Sequence, residues 1–63
     1  MSITGIKLQL VGLDGNAFSI LGRATAALKD NGQSELADEY MTEATSGDYD
    51  HLLATTANYF ETY

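Results

Sequence analysis

Cysteine is absent from the 63-residue chain, and histidine occurs once. Disulfides and thiolate–metal sites are therefore excluded. The usual structural zinc sites, which need several Cys or His ligands, go with them. A chain without thiols survives in either redox environment, so this absence says little about compartment. No apolar run approaches the roughly 20 residues needed to cross a bilayer. Met1 to Lys7 also lacks the basic region and apolar run of a secretory leader. The expectation is a soluble, cytoplasmic protein with no membrane partner.

Positive charge is scarce. The net charge is −6, with three Lys and Arg against nine Asp and Glu. The cations Lys7, Arg23 and Lys29 all precede residue 33, beside Asp14 and Asp30. Beyond that point the chain holds Glu35, Asp38, Glu39, Glu43, Asp48, Asp50 and Glu61 with no Lys or Arg. Such a field repels nucleic acid and anionic membranes and attracts basic surfaces. No direct nucleic-acid partner is expected. The charge either keeps the domain soluble or forms a docking face for a basic protein. A domain of this size buries only about 60% of its unfolded surface, so a homodimer is a reasonable source of further burial.

Residues 3–11 read as a strand, because Ile6, Leu8 and Leu10 alternate with Lys7 and Gln9. The stretch Gly12-Leu13-Asp14-Gly15-Asn16 breaks it as a turn. A hairpin turn at Asp14-Gly15 leading to a second strand is possible on composition. A helix over about 17–30 fits better, with Asn16 as its N-cap and Ala24, Ala26 and Ala27 favouring it. Its apolar stripe is Phe18, Leu21, Thr25 and Leu28, with Ala24 beside it. Gly22 weakens the helix by about 1 kcal/mol against alanine, and would let another element approach closely.

Gly32 suits the left-handed position after that helix. Ser34 reads as the N-cap of a second helix over about 34–46, striped by Leu36, Tyr40, Met41 and Ala44, with Ala37 beside them. Glu35, Glu39 and Glu43 lie on its opposite face. Their spacing of four costs the helix a few tenths of a kcal/mol; a solvated face tolerates this, or an interaction uses it. Gly47 reads as the next C-terminal glycine and Asp48 as the next N-cap. A third helix spans about 49–60, with Leu53, Ala57 and Phe60 in one row and Leu52, Thr56 and Tyr59 in the next. The fold class is α+β and mostly helical, one domain over 1–63. The lone strand needs a partner, either the C-terminal residues or the same strand of a second copy.

Few residues suggest chemistry. Asp48, Asp50 and His51 resemble a metal or catalytic set, yet Asp48 is explained by capping and Asp50 by the helix dipole. A calcium loop needs alternating oxygen ligands, a central glycine and a closing glutamate, which Asp48 to Leu53 lack. Asp14-Gly15-Asn16 is a turn and cap. Ser19, Ser34 and Ser46 are expected to have no nearby base, so nucleophilic catalysis has no triad to stand on. Gly12 to Gly15 lacks the Gly-Lys of a phosphate loop. No catalytic residue, cofactor or metal is expected. Tyr40, Tyr49, Tyr59 and Tyr63 all fall in the acidic half, where tyrosine offers contact area at low entropic cost. The candidate protein-binding face is Glu35, Glu39, Glu43, Asp48, Tyr49 and Asp50.

Two segments together, Leu10 to Gly22 and Glu43-Ala44-Thr45-Ser46-Gly47-Asp48-Tyr49-Asp50-His51-Leu52-Leu53, carry a resemblance over nearly the whole chain. The chain resembles a group of small uncharacterised proteins of bacteria, their phages and plasmids. Relatives tend to have a more basic first helix than one holding Arg23 and Lys29, and a longer C-terminal end. The resemblance implies a mobile-element setting and brings no site residues. The function expected is a small non-enzymatic interaction protein; the alternative is an acidic inhibitor that mimics nucleic-acid charge against a nucleic-acid-handling enzyme.

Overall fold

The computed structural model describes residues 2–11 and 15–63. The order is strand β1 (Lys7–Leu8), helices α1 (Ala17–Asp30), α2 (Ser34–Ala44) and α3 (Tyr49–Tyr59), and strand β2 (Glu61–Thr62). The two strands pair in parallel, Lys7 beside Glu61 and Leu8 beside Thr62. A parallel pair needs a crossover connection, and here the three helices supply it. The lone strand thus finds its partner in the chain's own C-terminal end.

The regular part of β1 is shorter than the alternation over 3–11 implies. Gly5 sits at φ +71° and breaks the extended run. Pairing still reaches further, from the Ile3 N–H on the Asn58 carbonyl (2.8 Å) to the Val11 N–H on that of Tyr63 (3.0 Å). The Gly12 to Asp14 part of the expected turn lies outside the described residues.

α1 begins where Asn16 caps it, its side chain accepting from the Phe18 N–H at 2.8 Å. It ends in a Schellman closure. Gly32, at φ +73°, donates to the Lys29 carbonyl, and Gln33 donates to that of Leu28. Gln33 is therefore also the N-cap of α2, without a side-chain bond, and Ser34 is the first helical residue rather than the cap.

α2 stops at Ala44, not near 46, and Gly47 is not in the left-handed region. The helix closes without it: the Thr45 and Ser46 amides donate to the Met41 and Glu43 carbonyls, and the hydroxyls of the same two residues reinforce those bonds. Thr45 Oγ1 donates to the Met41 carbonyl and Ser46 Oγ to that of Glu43, each at 2.7 Å, so two terminal carbonyls are satisfied locally. α3 starts as expected, with Asp48 Oδ1 accepting from the His51 N–H at 2.9 Å.

The core joins Leu8, Leu21, Ala24, Leu28, Ala37, Tyr40, Ala44, Leu52, Tyr59 and Phe60. Tyr40 is its centre. It meets Tyr59 and Phe60 edge-on, with centroids 5.4 and 5.8 Å away, contacts worth about 0.5–1.5 kcal/mol each beyond burial. Phe18 does not belong to the buried stripe: it is 83% exposed. The inner face of α1 is Ile20, Leu21, Ala24 and Leu28, and at 100° per residue Phe18 lies about a third of a turn from Ala24. On α3 the row of Leu52, Thr56 and Tyr59 is buried while Ala57 is exposed. Phe60 still reaches the core because it has left the helix, its backbone extended at φ −127°, ψ 159°.

Candidate functional site

All six residues of the candidate face are exposed. Glu35, Glu39 and Glu43 line α2; Asp48, Tyr49 and Asp50 open α3. The turn between the helices ties part of this set together. His51, one turn into α3, turns back to α2, and its Nε2 lies 2.9 Å from both Glu43 Oε2 and the Glu43 carbonyl oxygen. This is the sole ion pair among the described residues when the imidazole is charged. Both near atoms are acceptors, so Nε2 carries a proton and donates.

Ser46 also comes close, its Oγ 3.1 Å from the same Nε2. This corrects the expectation that Ser46 has no nearby base: His51, five residues on, folds back over the turn to reach it. The chemistry of a nucleophile–base pair requires a free lone pair on that nitrogen, and here Nε2 is engaged as a donor to Glu43. Ser46 in turn donates to the Glu43 carbonyl. The arrangement is a helix-to-helix clasp.

The clasp also explains Gly47. A Cβ there would stand 2.8 Å from His51 Cγ and 2.9 Å from its Cβ. The residue must be glycine because the imidazole passes over it, a packing reason rather than a conformational one.

Other members of the face point elsewhere. Glu39 accepts from Tyr59 Oη at 3.4 Å. Burial first, and then the negative charge of Glu39, push the Tyr59 phenol above its usual range. Asp48 is occupied as a cap. Tyr49 turns away from the glutamates, and its hydroxyl donates to the Gly15 carbonyl just before α1. Asp50 and Glu35 have no hydrogen-bond or ion-pair partner among the described residues. No group of three His, Asp or Glu suited to hold a metal occurs among the described residues, and no helix there is long and apolar enough to cross a membrane.

The sequence reading missed a groove. Between the start of α1, the end of α2 and the start of α3 lies an open cleft of about 270 Å³, lined by Ala17, Leu21, Ala44, Leu52, Asp48 and Tyr49 among others. Small residues at 17, 44 and 47 are the only signal that could have suggested it, and they read equally well as ordinary helix and turn positions.

The chain matches no protein-family model, no curated protein and no solved structure.

Proposed function

We propose that this is a small non-enzymatic interaction protein that binds a basic protein surface through its acidic half. One observation carries the reading: Glu35, Glu39, Glu43, Asp48 and Asp50 are all exposed, in a stretch without Lys or Arg, and only Glu43 is in an ion pair among the described residues. Uncompensated like charge lowers helix stability and speeds encounter with a cationic partner. A mobile-element accessory role accords with the resemblance given above.

The test is charge reversal. Glu35→Lys, Glu39→Lys and Glu43→Lys together should abolish capture of partners from a lysate, read by mass spectrometry at two salt concentrations. Captured partners unchanged by the triple reversal would remove the reading. A second reading, mimicry of nucleic-acid charge, draws on the evenly spaced carboxylates along α2. It requires the captured partner to release this protein when DNA or RNA is added at low salt; failure to compete eliminates it.

A homodimer built on paired strands would use the outer edge of β1. There Lys7 and Gln9 lie on the side away from the hydrogen bonds to β2, which run through Ile6, Leu8 and Leu10. A solution mass of one chain at micromolar concentration excludes that dimer.

A further inference from the structure

We infer that the groove between the ends of the three helices is the anchor point of this interaction, taking one aliphatic side chain from a basic amphipathic segment of a partner protein. The inference rests on the reading above and adds where the partner sits and what it must carry.

Three observations converge. First, the floor of the groove is apolar, formed by Ala17, Leu21, Ala44 and Leu52. Its volume of about 270 Å³ falls below the roughly 300–1,000 Å³ of drug-sized sites, so it suits a single anchoring side chain. Second, aromatic rings stand at this end of the molecule without cover. Phe18, next to Ala17, is 83% exposed, and Tyr49, which lines the groove, is 44% exposed. Exposed aromatic area beside an apolar pocket that a partner desolvates on binding is the usual make-up of an interface hot spot.

Third, the charge lining it has one sign. The only charged side chain lining the groove is Asp48, with Asp50 two residues on and Glu43 adjacent to Ala44. Lys7 lines a different cleft, between β1 and α1, and Arg23 lines that cleft and one on the far side of Tyr49, neither of them the groove itself. An aliphatic side chain flanked by Lys or Arg matches this surface. An acidic segment would meet only repulsion.

Three synthetic peptides of equal length test this against the full chain, labelled with ¹⁵N and followed by its amide shifts. One is an amphipathic Leu/Lys helix, one replaces its Lys by Glu, and one keeps Lys but replaces Leu by Ser. Binding of the Leu/Lys peptide alone is expected, with shifts centred on Ala17, Phe18, Ala44, Gly47 and Leu52. Phe18→Ser should weaken it by about tenfold, the loss of one hot-spot residue, while circular dichroism stays unchanged. Thr45→Trp, which covers the groove from its rim at the loss of the Thr45–Met41 hydroxyl bond, should weaken binding by a similar factor.

Equal binding by the Ser/Lys peptide, no binding by any of the three, or full affinity in both variants overturns the inference. The two readings separate cleanly. If the triple Glu→Lys reversal removes binding while neither Phe18→Ser nor Thr45→Trp does, the acidic face stands and the groove falls.

Discussion

Tyr40 and Thr56 offer the sharpest test of how this small core is held. Tyr40 Oη lies 2.8 Å from Thr56 Oγ1, and both residues are fully buried. Thr56 Oγ1 donates its single proton to the Leu52 carbonyl at 2.8 Å. The phenol is therefore the donor between the two side chains, and a relay runs from Tyr40 through Thr56 to the α3 backbone. The two ends of that relay respond unequally to substitution. Tyr40→Phe removes a donor and leaves Thr56 still bonded to Leu52, a loss of about 0.5–1.5 kcal/mol. Thr56→Val removes the acceptor and strands a buried hydroxyl, a loss of about 1–3 kcal/mol. With both changes no polar atom is stranded, so the double variant should be no less stable than Thr56→Val alone. Urea unfolding followed by circular dichroism measures all four proteins, and about 1 kcal/mol corresponds to roughly 4–8 °C in Tm for a chain of this size. Additive losses, or a larger loss for Tyr40→Phe than for Thr56→Val, would refute the assigned direction of the relay.

Burial pushes the Tyr40 phenol up, and burial with Glu39 pushes up that of Tyr59. The folded state thus holds these protons more tightly than the unfolded state does. Their contribution is fully present below about pH 10, the free tyrosine value, and is lost as pH rises through the raised folded values; unfolding monitored with tyrosinate absorbance at 295 nm should be cooperative on that alkaline limb and weaker in Tyr40→Phe. Asp48→Ala should cost about 0.5–2 kcal/mol in thermal unfolding, whereas Asp50→Ala, which caps nothing, should cost a few tenths. Gly47→Ala should destabilise by about 1 kcal/mol despite the entropic gain of alanine. The new methyl displaces His51, so loss of the His51–Glu43 contact in NMR should accompany the fall.

Local chemistry was legible where one residue type has one solution. Asn16, Gly32 and Asp48 each mark a helix end by a bond or angle that few other residues supply, and all three do so in the structure. Gly47 was misread because a glycine after a helix has two uses, and only the position of His51 distinguishes them. On α1, Leu21, Ala24 and Leu28 are buried as their spacing implies, and only Phe18, the apolar residue at the head of the stripe, falls outside it. Phe60 lies in helical register with the row it was assigned to; its departure from the helix is a tertiary event. The pairing of Tyr49 with Gly15 links residues 34 apart, and the groove that Tyr49 borders is invisible to any local pattern.

The pairing of β1 with β2 joins Lys7 to Glu61, almost the whole length of the chain. Closing a flexible loop of that span in an unfolded chain costs roughly 3–4 kcal/mol, by the logarithmic dependence on length. Two short strands return little against it. Once the helices have assembled, most of that entropy is already spent, and Leu8 and Phe60 dock into a core that exists. On this reasoning the sheet should form late in folding, as a latch rather than a nucleus. In hydrogen exchange the amides of Leu10, Glu61 and Tyr63 should open ahead of those in α1 and α3, setting the chain's ends as the first part of the molecule to let go.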